Sequence, residues 1–452
     1  MAIGITPEPP LLDTVGIYVG DKRFEEWTDY GIPVDIFTPS NQFSMRCGAL
    51  QADVIKTILP GREVSIYFGD GSHDNEHIVI TGWLEDFDDV TAKDTWSTDV
   101  SGRDRASDLL ENSVPQDLVV KNRAMYDIAQ DICSPLGLDV IIANDANRIA
   151  VADKKLYKKL MAGYEASMLP YNSNVAAIQK LLADTFEVTD AKDKQFKQIL
   201  AANGIKPPLK PPFIPGVFQN LRDAEPKDGE SCWEFLARLA AKLEVWLWMA
   251  HDGTVVIQRP RYDQEPMYLF INSISEPFLN NVVNRRYSLS IAGKPTKLTR
   301  IGRVKTDGKR ERTEIEYSST RIVPSSSDAV IVGVAGQQDS DYLQVSESFS
   351  RERWMVDEDS STADELARKA WYALKASEAG FLSIELVVKG HDQGGVLYTP
   401  DTVCRLVDEK LGLDGNYYIA ACEYEMGVKA PETEGKQTRI TLTPLYAWSP
   451  QE

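Results

Sequence analysis

The sequence predicts a β-dominated α+β fold in which two β regions flank an α/β middle. Short β-rich runs recur from residue 15 to residue 100, helical periodicity sets in after residue 104, and strands return from about residue 287, interrupted by one helix.

The first region is read from alternation and turns. Val15-Gly16-Ile17-Tyr18-Val19 and Val34-Asp35-Ile36-Phe37 are β-rich, and Phe43-Ser44-Met45-Arg46-Cys47 alternates apolar with polar as a half-buried strand does. Glu63–Phe68 and His77–Leu84 flank the polar cluster Gly69-Asp70-Gly71-Ser72-His73-Asp74-Asn75, the pattern of a hairpin; Trp96–Val100 is a further strand. Strands at this spacing suit a barrel or a sandwich.

In the middle, Asp104–Glu111 and Ala124–Cys133 are helical by period, with Met125, Ile128 and Ile132 on one face, and Leu138–Ala143 is a short apolar strand. Residues 154–203 are polar and helix-prone and run into the proline-rich stretch 204–216, where fixed φ angles block both helix and ladder; 150–218 is therefore read as an insertion. Ser231 is placed to cap a helix carrying Trp233, Leu236, Leu239 and Leu243 on one face, and His251-Asp252-Gly253 joins two strands, 245–249 and 254–258. The last region has strands at 287–292, 298–305 and 313–317, the second and third joined by the turn Asp307-Gly308. A Ser-rich loop at 318–341 surrounds the run Ala329–Val332. A helix at Thr362–Ala379 ends at Gly380, and strands follow at 381–388, 402–407, 417–426 and 437–445.

The 452 residues allow about three domains. With 43% hydrophobic and 26% charged residues the chain has material for packed cores. Forty-nine basic against 68 acidic residues give a net charge of -19, which disfavours phosphate-coating or sequence-specific nucleic-acid binding. Five widely spaced cysteines without a CxxC suggest reduced core thiols, not a disulfide framework or a zinc ribbon. No apolar run reaches the roughly 18 residues of a membrane span, and the first residues lack a signal-peptide pattern, so neither membrane insertion nor secretion by a leader is expected.

Catalytic motifs are missing: there is no HExxH, GxSxG, Walker loop or GxGxxG among a total of four histidines. His73 and His77, beside Asp70, Asp74 and Glu76, are the one candidate metal pair, yet a solvated turn explains them better than a ligand set without fixed geometry. His251-Asp252 and His391-Asp392 read as turn chemistry. No cofactor is expected.

Three segments carry a resemblance. Val100-Ser101-Gly102-Arg103-Asp104-Arg105-Ala106-Ser107-Asp108-Leu109-Leu110-Glu111-Asn112-Ser113 ends the first β region as a strand, Gly-Arg and helix junction. Asp228-Gly229-Glu230-Ser231 opens the helix 232–240, followed by Trp246, Asp252-Gly253 and Val255–Pro260, with Asn284-Arg285-Arg286-Tyr287-Ser288 beyond. Arg368–Trp371, Leu386–His391, Leu397-Tyr398-Thr399-Pro400-Asp401, Ile419–Cys422 and Leu442-Thr443-Pro444 complete the third. In this order they resemble the baseplate hub family of contractile tails, the late-control-D or Mu-type tail hub proteins. The insertion at 150–218 departs from that pattern.

The resemblance implies two tube-like β-barrels with the α/β region between them. The first barrel is 1–101. The middle domain is 102–284, with a helical Pro-rich insertion at about 150–218. The second barrel is 285–452, interrupted by an inserted loop and helix at about 318–380. It further implies a structural, non-enzymatic hub of the virion's tail baseplate: a homotrimer forming a pseudo-sixfold ring between the hexameric tail tube and the trimeric central spike. The tape-measure protein and DNA would pass through it, and other baseplate (wedge) proteins would surround it. A tailocin or another contractile injection system is an alternative setting, and a cell-wall-binding or wall-degrading component an alternative class. Candidate contact residues are Asp70, Ser72 and Asp74 in the first hairpin, Arg103 and Asp104 at the strand-to-helix junction, and Ser326 and Gln337 in the 318–341 loop. Plain solvation competes as an explanation for the loops, because loops are exposed by default.

Overall fold

The computed structural model describes residues 14–48, 52–69, 77–141, 220–290, 295–318, 330–331, 351–357 and 382–445, less short gaps within these ranges, with five residues of 366–373. The chain divides into Met1–Ile142 with Gln219–Glu452, described below, and Ala143–Phe218, which lies outside the described residues.

The N-terminal strands are β1 (Val15–Val19), β2 (Lys22–Phe24), β3 (Trp27–Asp35), β4 (Gln42–Cys47), β5 (Glu63–Phe68), β6 (His77–Ala92) and β7 (Thr95–Asp104), with one helical turn, α1 (Ala52–Ile55), after β4. They pair antiparallel in the order β3-β4-β7-β6-β5-β1-β2. Phe68 lies opposite His77, so the 69–76 segment does connect two neighbouring strands as the alternation predicts. Alternation also sets the faces: Phe43, Met45 and Cys47 of β4 are buried, while Gln42 and Arg46 are exposed.

The middle region holds α2 (Ala106–Glu111), β8 (Arg123–Ala124), α3 (Met125–Cys133), β9 (Val140–Ile141), β10 (Asn220–Leu221), α4 (Cys232–Lys242), β11 (Trp246–Met249) and β12 (Val255–Gln258). Its small sheet runs β11-β12-β9, with β9 parallel to β12. Ser231 and Glu234 form a reciprocal cap on α4: the Glu234 amide donates to Ser231 Oγ and the Ser231 amide to Glu234 Oε2, both at 3.1 Å. Phe235, Leu236 and Leu239 of α4 and Met125, Ile128 and Ala129 of α3 are fully buried.

The C-terminal strands are β13 (Tyr268–Asn272), β14 (Val282–Leu289), β15 (Lys297–Thr306), β16 (Lys309–Ser318), β17 (Val330–Ile331), β18 (Glu352–Asp357), β19 (Leu382–Lys389), β20 (Asp392–Gln393), β21 (Val396–Leu397), β22 (Thr402–Asp408), β23 (Leu413–Met426) and β24 (Lys436–Pro444). Strands β16, β15 and β18 form a separate ribbon. Of the expected helix at 362–379, the described residues Leu366, Ala367, Lys369, Ala370 and Ala373 are helical, and Ala370 packs on Leu298 of β15.

The two β regions join in one sheet. Strand β23 pairs with β22 from Leu413 to Ile419, then with β3 from Ala421 to Met426, which faces Tyr30. Its register to β24 shifts between Ile419 and Ala421, an irregularity that bends a strand enough to serve two neighbours. The path therefore runs β14-β19-β24-β23-β3-β4-β7-β6-β5-β1-β2. One core extends beneath it, from Ile17, Tyr30 and Ile66 to Ile384, Leu406 and Ile440. Burying one such Ile contributes about 2–3 kcal/mol. Among the described residues no pairing joins the end strands β14 and β2, so within one chain the sheet is open; closed barrels, as the sequence suggests them, are not formed by these pairings.

Strand β13, which periodicity does not reveal, pairs parallel with β22 some 130 residues away. Side-chain amides cover alternate backbone groups of it. Gln393 both accepts from the Leu269 amide and donates to its carbonyl, at 2.8 Å each, and Asn281 accepts from the Ile271 amide and donates to the Leu269 carbonyl. Amides used this way close an edge that otherwise recruits foreign strands.

Glycines 82 and 102 mark the close approach of β6 and β7: a Cβ on Gly102 runs into the Trp83 carbonyl and the Phe43 ring. Replacing Gly102→Ala is expected to destabilise the protein by about 1–3 kcal/mol through forced overpacking, read as a lower urea midpoint; an unchanged midpoint contradicts this packing.

Candidate interaction surfaces and junctions

The junction from β7 to α2 is built by consecutive residues with different tasks. Arg103 Nε donates to both carboxylate oxygens of Glu85, at 2.8 and 2.7 Å, and its guanidinium also meets Glu111. Hydrogen bonds to these two carboxylates hold the Arg103 pKa above the usual arginine value. Asp104 is 3% exposed. Its carboxylate accepts from Ser40 Oγ (2.7 Å), the Asn41 amide (2.9 Å), Asn41 Nδ2 (3.0 Å) and the Ala106 amide (3.1 Å). Burial pushes its pKa up, and those donors oppose the shift. This geometry puts Asp104 inside the chain, fastening the start of α2 to the β3–β4 connection, while Arg103 stays partly exposed.

Arg105 binds four places together. It donates to Asp108 (2.7 Å), Glu63 (3.0 Å) and the Leu136 carbonyl (2.9 Å), and lies 5.0 Å from the centre of the Trp83 ring. A first-sheet strand, α2 and the turn that follows α3 thus converge on one guanidinium, whose planar fork suits several acceptors at once.

His391, read from sequence as a turn residue, is 2% exposed at the seam between the β regions. Its ring lies 4.9 Å from Phe68 and 5.6 Å from Tyr424, ring centre to ring centre. Nε2 is 2.7 Å from Tyr30 Oη and Nδ1 is 2.9 Å from Thr438 Oγ1. The Thr438 hydroxyl spends its proton on the Gly390 carbonyl. It therefore accepts from Nδ1–H, which leaves Nε2 to accept from Tyr30. A neutral imidazole thus satisfies both contacts. Burial, assisted by the charge of Lys436, lowers the pKa to about 3. The turn chemistry falls to Asp392, which accepts from the Gly395 amide at 2.8 Å.

Asp401 is the described non-glycine residue with a left-handed backbone, φ 59°. Its carboxylate accepts from the Arg261 amide (2.8 Å), Arg261 Nε (2.6 Å) and Tyr418 Oη (2.8 Å), and its carbonyl from Gln264 (2.9 Å). The segment leaving β12 is locked to the C-terminal sheet in this way, and these contacts offset the backbone cost.

On the surface, Glu409 organises the loop after β13. One oxygen accepts from the Ser273 hydroxyl, the Ile274 and Ser275 amides and the Ser275 hydroxyl, at 2.6–2.9 Å, and these bonds hold its pKa down to about 2. The fixed loop presents Ile274 and Phe278, 64% and 82% exposed. Single exposed apolar side chains are common on protein surfaces, and nothing in local sequence pattern singles these two out.

Of the other residues selected from sequence, Asp70, Ser72, His73, Asp74, Ser326 and Gln337 lie outside the described residues. His77 is exposed at the start of β6. All five cysteines are free and buried. Burial raises the thiol of Cys47 to about 11 and that of Cys133 to about 12, so these behave as core residues and not as nucleophiles.

Two solved structures share this architecture. The tail protein from Neisseria meningitidis MC58 is similar with a TM-score of 0.63 at 18% identity, over 96% of this chain and 97% of that one. The 43 kDa tail protein of prophage MuSo2 from Shewanella oneidensis gives 0.63 at 18%, over 97% of this chain and 100% of that one. The fold is that of phage tail proteins. Residues 14–104 match the family model described as Mu phage baseplate assembly protein GpP-like, N-terminal, and residues 361–451 that of Mu phage baseplate assembly protein GpP, fourth domain. Baseplate hub protein gp44 of Escherichia phage Mu is 25% identical over 131 residues, 29% of this chain. The matched stretch spans about a third (33%) of the length of that relative. Both end stretches of the chain thus match domain models of Mu phage baseplate assembly proteins.

The His391 imidazole is expected to stay neutral from pH 8 to pH 5 in a carbon-13 or proton NMR titration. Because the folded-state pKa is depressed below the unfolded value of about 6.5, its contribution to stability is complete above that value. It is withdrawn as pH falls from there towards 3. A midpoint near 6.5 in the folded protein contradicts the buried geometry.

Proposed function

We propose that the protein is the structural hub of a contractile tail's baseplate in the virion. Three chains would form a pseudo-sixfold ring joining a hexameric tail tube to a trimeric spike, through which the tape-measure protein and DNA pass. The observation that carries this reading is the single open sheet: β3 and β23 set the two β regions side by side, leaving β14 and β2 as its two ends. Two similar lobes per chain in a closed, heterologous trimer give six lobes, a symmetry match between a sixfold and a threefold neighbour. Ring closure also removes open sheet edges, so the tube-like barrels expected from the sequence would be completed between chains and not within one. The match of both end stretches to Mu phage baseplate domain models supports the same role.

In this reading the protein is structural and not an enzyme. Wedge proteins would contact the outside of the ring, residues 150–218 would be an insertion in the middle domain, and Arg103 and the segments 69–76 and 318–341 remain candidate contacts. A tailocin or other injection system would use the same ring.

Light scattering on the full chain, alone and with its candidate spike, tests the ring. A mass near three times 50.5 kDa, alone or on adding the spike, is the expected result. A monomer that ignores the spike at high concentration refutes it.

A further inference from the structure

The sheet face opposite the core carries an acidic hollow. Pairing registers put Asp29, Arg46, Asp99 and Asp88 in one lateral row across β3, β4, β7 and β6, with Ser44, Ser101 and Asp86 in the next row. Residues between them in sequence, Tyr30, Met45, Val100 and Phe87, belong to the core side. These carboxylates line a cavity of about 330 Å³ whose rim includes Val428 and Lys429.

Its charges are incompletely answered from within. Arg46 is committed to Asp99, with Nε and Nη2 donating at 2.6 and 3.1 Å. Asp29 is 8% exposed, yet its Oδ1 has no hydrogen-bond partner among the described residues, and Oδ2 accepts only a long 3.2 Å bond from the Val428 amide. A buried carboxylate oxygen left unpaired is costly and looks for a donor. Asp88 stands directly across the strand pair from Asp99, and like charges so placed repel. Such local conflict is tolerated where a partner resolves it.

The spacing selects the ligand. Asp29 and Asp88 are three strand steps apart, about 14 Å, too far for one metal ion and right for two separate cations. In an extended peptide, residues four apart are separated by about 13 Å. Val428, 83% exposed on the rim, offers an apolar surface for the stems of long basic side chains.

We propose that this hollow binds an extended basic segment of a partner protein, one cationic side chain on Asp29 and a second, four residues along, on Asp88. The buried Asp29 oxygen favours arginine, whose donors reach it as a fork. The site lies on this chain's own sheet and does not depend on the ring, so failure of either proposal leaves the other standing.

Fluorescence anisotropy with labelled Arg-Gly-Gly-Gly-Arg and Arg-Gly-Gly-Gly-Gln peptides, at low salt on the full chain, tests it. The two-arginine peptide should bind about tenfold more tightly, the factor expected for one charge-assisted hydrogen bond. Asp29→Asn and Asp88→Asn should each remove about that factor, while Asp252→Asn, in an exposed turn of the middle region, should not. Asp88→Asn relieves a repulsion and should not lower the melting temperature; if it does, Asp88 serves the fold and the proposal fails. Equal binding of both peptides, or unchanged binding by the Asp88 variant, overturns it. Tighter binding of a linear diamine of matched span than of the peptide overturns the assignment to a protein segment.

Discussion

Everything in this fold hangs on strand β23 having two partners on one side. Its first half completes the C-terminal sheet with β22 and its second half takes β3, more than 380 residues earlier in sequence. Six residue pairs, Ala421–Asp35 through Met426–Tyr30, thereby turn two β regions into one sheet over one core. The seam is specified by side chains as well as by backbone. The neutral His391 needs Tyr30 from one region and Thr438 from the other, and is enclosed by Phe68 and Tyr424, again one from each. A polar group so enclosed fixes one register, because any slip leaves it unsatisfied.

The middle region depends on that platform. Asp104 and Arg105 tie α2 and α3 to the first sheet, and Asp401 ties the chain leaving β12 to the second. These fastenings are charged or buried, and each gathers several hydrogen bonds: Asp104 and Asp401 as acceptors, Arg105 as donor. Their common feature is that each joins segments distant in sequence: Asn41 to Asp104, Glu63 to Arg105, Arg261 to Asp401.

Much of the local structure is legible in the sequence, because strand alternation, helical period and turn residues are local quantities. Strands at 15–19 and 63–68, the capped helix after Ser231 and the hairpin at Gly253 appear where their patterns place them. What escapes is long-range. Strand β13 is a short apolar run whose parallel partner lies far along the chain, and the β3–β23 seam leaves no mark in either strand alone. His391 precedes a genuine turn, so its neighbours' chemistry disguises a core residue. Asp104 looks like a surface charge until four donors close on it. The three ordered segments that resemble the hub family do not reveal that the β regions share one sheet, because that is a property of pairing and not of motif.

The most direct test of this account is hydrogen exchange on a seam variant. Ile32→Asp places an unpaired charge at a fully buried position of β3 beside the seam. If the two β regions are one cooperative sheet, amides of β22 to β24 should lose protection together with those of β3 and β4. Protection of 402–444 that persists while 27–47 exchanges freely would show two independently folded regions and contradict the single-sheet architecture.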